Sequence, residues 1–237
     1  MENDKNEKEK RSVKKKYIII PIIILTIIIS IIVGLMFINY NDKSYDIENV
    51  TVFSYFKLYE NEKYGIIDAK GNTLVEAKYD NIDIPNPSKP VFIVYSNYDS
   101  QKGEYETQVI NEKNEKILTQ YEQVLPITLK ESNSSLPYEK SVLVYKENNK
   151  YGIIDFKGKK ITNALYNSIE SLLYKEGCLI VKKEEKYGII NIKGKDVVKT
   201  EYDSITADGY YDEETKYKKA GFIVGQKKNE GYRYRIY

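Results

Sequence analysis

The 237-residue chain contains no histidine and no tryptophan, and it has one cysteine. Without histidine the commonest general base, proton shuttle and metal ligand is missing, which excludes zinc hydrolysis and Ser-His-Asp chemistry in their usual forms. The lone Cys178 excludes an internal disulfide framework. It sits in the apolar run Cys178-Leu179-Ile180-Val181 and reads as a small buried hydrophobe in a strand, with an intermolecular bridge as the other use open to it. No glycine pattern of the phosphate-cradling or dinucleotide type follows a strand and opens a helix. A carboxylate pair, which needs only Asp and Glu, is a catalytic arrangement that composition leaves available. The acidic stretch Asp208-Gly209-Tyr210-Tyr211-Asp212-Glu213-Glu214 lacks the spacing of a helix-loop-helix calcium site and reads as a solvated loop between repeats. The expectation is a protein with no catalytic residues, no cofactor and no metal.

Charge is unevenly spread. The first sixteen residues hold seven basic side chains (Lys5, Lys8, Lys10, Arg11, Lys14, Lys15, Lys16) against four acidic ones (Glu2, Asp4, Glu7, Glu9) and almost nothing apolar, a segment that cannot bury a core. Residues 17–39 then run without a charge and are dominated by isoleucine. As a helix, a run of that length reaches about 34 Å and crosses a hydrocarbon layer of about 30 Å. The run exceeds an ordinary signal-peptide core, and Leu35-Met36-Phe37-Ile38-Asn39-Tyr40 offers no small-residue cleavage site, so an uncleaved signal-anchor is expected over a cleaved leader. The basic cluster on its N-terminal side places the N-terminus in the cytoplasm and the rest of the chain outside the cell membrane. The bias toward Ile, Lys, Asn and Tyr is that of an AT-rich bacterial genome. Beyond the tail the chain carries 30 basic and 31 acidic residues, and this balance argues against a nucleic-acid partner, which needs a basic excess on one face.

What the remainder does contain is a repeat. Lys63-Tyr64-Gly65-Ile66-Ile67-Asp68-Ala69-Lys70-Gly71 returns as Lys150-Tyr151-Gly152-Ile153-Ile154-Asp155-Phe156-Lys157-Gly158 and as Lys186-Tyr187-Gly188-Ile189-Ile190-Asn191-Ile192-Lys193-Gly194. Eight residues after the second glycine come Tyr79, Tyr166 and Tyr202, followed by Ile82, Ile169 and Ile205. A worn copy, from Val109-Ile110-Asn111 to Tyr121 and Val124, keeps the apolar positions without either glycine. A fifth start at Gly221-Phe222-Ile223-Val224, with Gly231 seven residues after the valine, gives about four and a half units over residues 50–237. The expected organisation is a basic tail (1–16), a transmembrane helix (17–39), a linker (40–49) and this repeat domain.

Short β-branched runs broken by Gly, Asn, Asp and Lys read as strands. In each Asp-x-Lys-Gly sequence the Asp suits the first position of a type I turn and Gly the fourth. One unit then reads as strands at 141–145, 151–155 and 160–163 with a turn at 166–168. The fold class is all-β: tandem three-stranded antiparallel meanders, solenoid or propeller-like, preceded by one transmembrane α-helix. The glycine after each tyrosine falls inside a strand, where it needs a packing reason, here an aromatic side chain lying across it. The stretches 85–90 and 130–137 read as loops.

This pattern resembles the WG-repeat proteins, whose unit reads aromatic-Gly-apolar-Ile-Asp/Asn-x-x-Gly and ends in Tyr-Asp-x-Ile. Tyr64, Tyr151 and Tyr187 stand where that family has tryptophan. The resemblance rests on Gly65, Asp68, Gly71 and Tyr79; on Gly152, Asp155, Gly158 and Tyr166; and on Gly188, Asn191, Gly194 and Tyr202. It implies a β-repeat domain often joined to anchors or other domains, with no shared catalytic residues.

Tyrosines outside the signature, namely Tyr95, Tyr98, Tyr105, Tyr210 and Tyr211, are read as loop residues free for contacts, and Tyr98, Tyr210 and Tyr211 are the candidate binding residues. The expected function is a membrane-anchored, extracytoplasmic binding or scaffold module that meets a protein or a cell-envelope glycan. A structural spacer or a subunit of a membrane complex is the alternative.

Overall fold

The computed structural model describes residues 52–130, 136–173, 175–214, 217–228 and 231–236. The expected basic tail, transmembrane helix and linker lie outside these. The described residues form strands and turns, and among them no helix is long and apolar enough to cross a membrane.

Seventeen strands are described, arranged as five antiparallel sheets in chain order. The first holds β1 (Tyr55–Glu60), β2 (Lys63–Asp68) and β3 (Thr73–Tyr79). The second holds β4 (Asn81–Asp83), β5 (Phe92–Asp99), β6 (Glu104–Ile110) and β7 (Lys116–Ile117). The third holds β8 (Gln123–Leu125), β9 (Leu143–Glu147) and β10 (Lys150–Ile154). The fourth holds β11 (Ser168–Ser171), β12 (Cys178–Lys183), β13 (Lys186–Asn191) and β14 (Asp196–Tyr202), and the last holds β15 (Ser204–Asp212), β16 (Tyr217–Lys228) and β17 (Gly231–Ile236).

Sequence unit and sheet are out of step. The Tyr-Asp-x-Ile ending, expected as a turn, opens the next unit's sheet: β4, β8, β11 and β15 pair with β5, β9, β12 and β16. At each junction the residue after the tyrosine donates its backbone N–H to that next strand. Asp80 bonds Tyr95 O at 2.8 Å, Glu122 bonds Lys146 O at 3.3 Å, Asn167 bonds Lys182 O at 2.7 Å and Asp203 bonds Gly225 O at 2.9 Å. The side chains of the last three accept in return from the N–H groups of Asn148, Glu184 and Lys227 at 2.6, 2.7 and 2.6 Å.

The Asp-x-Lys-Gly turns form as expected. Asp68 Oδ1 accepts from Lys70 and Asn72 N–H at 2.8 and 2.9 Å, and Gly71, at φ +84°, donates its N–H to Asp68 O. Asp155 and Asn191 repeat the arrangement around Gly158 (φ +83°) and Gly194 (φ +75°). The side chain of Asn72, then backbone N–H groups, hold the Asp68 carboxyl below its ordinary pKa. In the worn copy Asn111 makes the same bonds, and Asn114 takes the left-handed position at φ +60°. Asn tolerates that conformation, so the turn survives loss of its glycine.

The in-strand glycine has a reason that differs in part from the expected one. Between Tyr64↔Tyr79 and Ile66↔Val75, and again between Tyr187↔Tyr202 and Ile189↔Val198, one residue on one strand faces three on the other. The third strand therefore bulges across the glycine. A Cβ at Gly65 would lie 2.3 Å from Val75 O, and one at Gly188 would lie 2.8 Å from Thr200 Cα. Only at Gly152 does an aromatic cross the position, where Tyr145 Cε1 would be 2.5 Å away, with Asn163 O at 2.8 Å.

Other expectations shift for related reasons. The strand expected at 160–163 reduces to one isolated bridge, Ile154↔Lys160, with a second, Tyr151↔Tyr166, beyond it; between them Thr162 Oγ1 accepts the Ile153 N–H at 3.0 Å. The acidic stretch from Asp208 is mostly strand, since β15 extends to Asp212 against β16. Gly231 sits beside the last hairpin tip opposite Lys228, and Arg235 rather than a glycine faces Val224.

The core lies between successive sheets. Ile66 and Val75 pack on Ile82, Phe92, Val94 and Ile110. Ile93 and Val109 pack on Val124, Leu143, Tyr145 and Ile154, and Val144 and Ile153 pack on Leu179, Val181 and Ile190. β9 alternates its side chains between two of these clusters, so a middle sheet is buried on both faces. Cys178 is buried, as expected.

These contacts set the expected cost of change. Gly65→Val destabilises the domain by more than about 2 kcal/mol, since the side chain meets backbone that cannot move aside. Asn114→Gly relieves the left-handed strain but loses the 2.9 Å bond from Tyr79 OH to Asn114 Oδ1, so it costs about 1 kcal/mol or less. Urea unfolding of the two variants checks both; equal midpoints for Gly65→Val and wild type would refute the bulge account.

Candidate functional site

The signature residues come together pairwise and structurally. In the first and fourth sheets the two signature tyrosines are direct cross-strand partners, Tyr64↔Tyr79 and Tyr187↔Tyr202. Tyr151 and Tyr166 exchange backbone bonds at 2.8 and 3.1 Å. Asp68, Asp155 and Asn191 serve turns.

The departures from the pattern concentrate in the worn second unit. Four residues, 60–63, lie between the paired Tyr59 and Tyr64, whereas eleven, 96–106, lie between the paired Tyr95 and Thr107. The β5–β6 hairpin is therefore longer than its counterpart in the first unit. A register shift between Ser96 and Asp99 bends it, with Asn97 at φ +53°. Asp99 holds its tip: the carboxylate accepts from Gln101 and Lys102 N–H at 2.9 and 3.2 Å, and these bonds keep the carboxyl below its ordinary pKa.

Tyr95, Tyr98 and Tyr105, expected in loops, are strand residues of this hairpin. Tyr98 and Tyr105 are 54% and 43% exposed, and their rings meet at a tilt of 50° with centroids 4.8 Å apart. Tyr95 meets the edge of Tyr105 at 6.2 Å and is anchored below, its hydroxyl donating to Asp83 Oδ2 at 2.7 Å. Asp83 is buried and also accepts the Tyr138 hydroxyl. Burial first, and then the bond to Asp83, push both hydroxyl pKa values well up. Tyr55, half-buried and donating to Glu112, is pushed up to about 12.

A cavity of about 220 Å³ opens in the same unit, lined by Thr107, Gln108, Lys116, Thr119, Tyr121 and Gln123 among others. Its origin is the missing glycine. Gln108 occupies the glycine position, β7 is two residues long, and the rung corresponding to Tyr64↔Tyr79 does not form. Tyr121 turns instead to the third unit, where its hydroxyl donates to Gly158 O at 2.7 Å and its ring lies 4.6 Å from Tyr145. Thr107 links cavity and tyrosines, because it is two residues from Tyr105 on β6 and shares its side. Gln123 Nε2 donates to Thr107 Oγ1 at 3.3 Å. A second cavity, of about 280 Å³, adjoins Tyr151, Asn167 and Ile169, where the third unit's last strand is reduced to bridges.

Of the candidate binding residues, Tyr98 lies on this shelf. Tyr210 and Tyr211 lie in β15 opposite Lys219 and Lys218, in a different sheet. Nothing in the repeat signature singles out Thr107 or Gln123; the seven extra residues between Tyr95 and Thr107, relative to Tyr59 and Tyr64, are the signal that marks the region. Among the described residues no cluster of His, Cys, Asp or Glu could hold a metal ion.

The family profile described as WG containing repeat matches residues 64–94 and 151–187. No curated protein matches the chain.

Two consequences are measurable. Tyr95→Phe leaves buried Asp83 short of a donor and lowers stability by about 1–2 kcal/mol, whereas Tyr98→Phe changes it by less than about 0.5 kcal/mol. Because the folded tyrosine pKa values are raised, their contribution is whole below the unfolded value of 10.0 and is lost as pH rises toward about 12. The melting midpoint should hold from pH 7 to 9 and fall between about pH 10 and 12, in step with tyrosinate absorbance. A midpoint flat to pH 12 would contradict the burial of these hydroxyls.

Proposed function

Because this chain is a WG-repeat protein, we propose that it is a membrane-anchored, extracytoplasmic binding or scaffold module without catalytic activity. The observation that carries the binding reading is the exposed Tyr98–Tyr105 pair beside the cavity of the worn unit. Repeat packing does not require those side chains, and exposed aromatic surface next to a polar cavity is what a binding face needs. The charge-free run at residues 17–39 supports the anchor, and the basic residues before it support an outward-facing repeat domain. Missing histidine and the turn duty of Asp68, Asp155 and Asn191 support the absence of catalysis. The partner is a protein or a cell-envelope glycan.

Topology and binding are tested separately. An alkaline-phosphatase fusion after Tyr237 should be active and one after Lys16 inactive; the reverse pattern overturns the orientation. The full chain, extracted in detergent, should retain envelope material on a column, and Tyr98→Ala should release it. Hydrolysis of retained material, abolished by replacing Asp or Glu residues, would overturn the non-catalytic reading.

A further inference from the structure

Resting on the binding reading above, we propose that the second unit's shelf and cavity bind a neutral oligosaccharide. One sugar ring lies on the Tyr98–Tyr105 pair and the next places its hydroxyls on Thr107, Thr119 and Gln123. The apolar C–H face of a pyranose matches an exposed aromatic surface, and its hydroxyls, each donor and acceptor, match hydroxyl and amide side chains that are the same.

Three observations select this ligand class. The shelf takes no charge from its own strand, because Glu104 and Glu106 are immediate neighbours of Tyr105 and leave β6 on the other side. Glu106 is also engaged there by Asn97 and Gln108 at 2.9 and 2.8 Å. The cavity's two charged lining residues are Glu122, whose Oε1 accepts from Asn148 N–H at 2.6 Å, and Lys116, whose charge is set against Glu106. The bond between Gln123 and Thr107, at 3.3 Å, is long for a hydrogen bond and leaves the threonine proton and the glutamine carbonyl free for a ligand. An extended peptide is less well served, since the outer edge of β6 is already taken at Val109 and Ile110 by Ile117 and Lys116. At about 220 Å³ the cavity is smaller than the roughly 300–1,000 Å³ that encloses a whole drug-sized ligand. It therefore admits one ring of a chain whose remainder runs over the shelf.

The test uses the full chain in zwitterionic detergent, since sugar-headed detergents would compete. The probes are cellohexaose, chitohexaose and maltohexaose, with oligogalacturonate and oligolysine as charged counterparts, titrated calorimetrically. At least one neutral probe should bind. Tyr98→Ala and Tyr105→Ala should each weaken it about tenfold or more, and Thr107→Val several-fold, with melting midpoints close to wild type. Tyr59→Ala, an exposed tyrosine of the first sheet, should change nothing. Neutral-sugar binding that ignores the shelf variants would overturn the site. Binding of a charged probe alone, lost in Tyr98→Ala, would overturn the ligand class while leaving the binding module standing. If neither these probes nor envelope material is retained, the binding reading itself falls.

Discussion

The backbone N–H that follows each signature tyrosine is the bond on which the rest of the structure depends. By donating to a strand of the following unit, Asp80, Glu122, Asn167 and Asp203 make each later sheet the joint product of two sequence units. No such unit completes its sheet alone, so the stability of one unit includes an interface term with the next. The side chains at Glu122, Asn167 and Asp203 reinforce the splice by capping the next hairpin. The Tyr-Asp-x-Ile ending recurs for that reason, and not because it forms a turn.

The second constraint is the close crossing of the third strand over the glycine. Gly65 and Gly188 admit a bulged strand because they present no side chain. Where Gln108 replaces the glycine, the strand shortens, the next tyrosine reaches forward to Gly158, and space opens between Thr107 and Gln123. The loss that wore down the repeat and the cavity that forms the candidate site are one event. The longer hairpin above it supplies the tyrosines.

A polar seam runs alongside. Pro87 O accepts from Ser54 and Tyr55 N–H. Asn86, fully buried, donates to Lys140 O at 2.8 Å. Glu139, also buried, accepts from Ser141 and Gly177 N–H at 3.0 and 3.1 Å, and Lys140 pairs with Glu176 at 3.1 Å. The stretch 85–90 is a loop, as the sequence implied, but Pro85, Asn86 and Pro87 are buried. It ties the start of the first sheet to the segment before β9, and Glu139 carries the seam on to Gly177. A buried polar group needs a partner, and Asn86 and Glu139 each find one far along the chain, 54 and 38 residues away, beyond what local composition can announce.

The sequence by itself determined the elements that depend on neighbours a few residues apart. Strand runs, the Asp-x-Lys-Gly turns with glycine or asparagine at positive φ, and the buried Cys178 are all set by local sterics and short-range hydrogen bonding, which repeat wherever the residues repeat. The number of units and the place of the worn copy were legible for the same reason. Only the tertiary structure decided which unit completes which sheet, and that backbone, rather than an aromatic ring, crosses Gly65 and Gly188. Only the tertiary structure decided that the strand at 160–163 is reduced to one isolated bridge, and that Tyr98 and Tyr105 meet beside a cavity that Thr107 lines. Those outcomes turn on register and bulge. A shift of one residue in cross-strand pairing moves whole side chains between faces, and nothing in the order of residues along one strand records which partner it will meet.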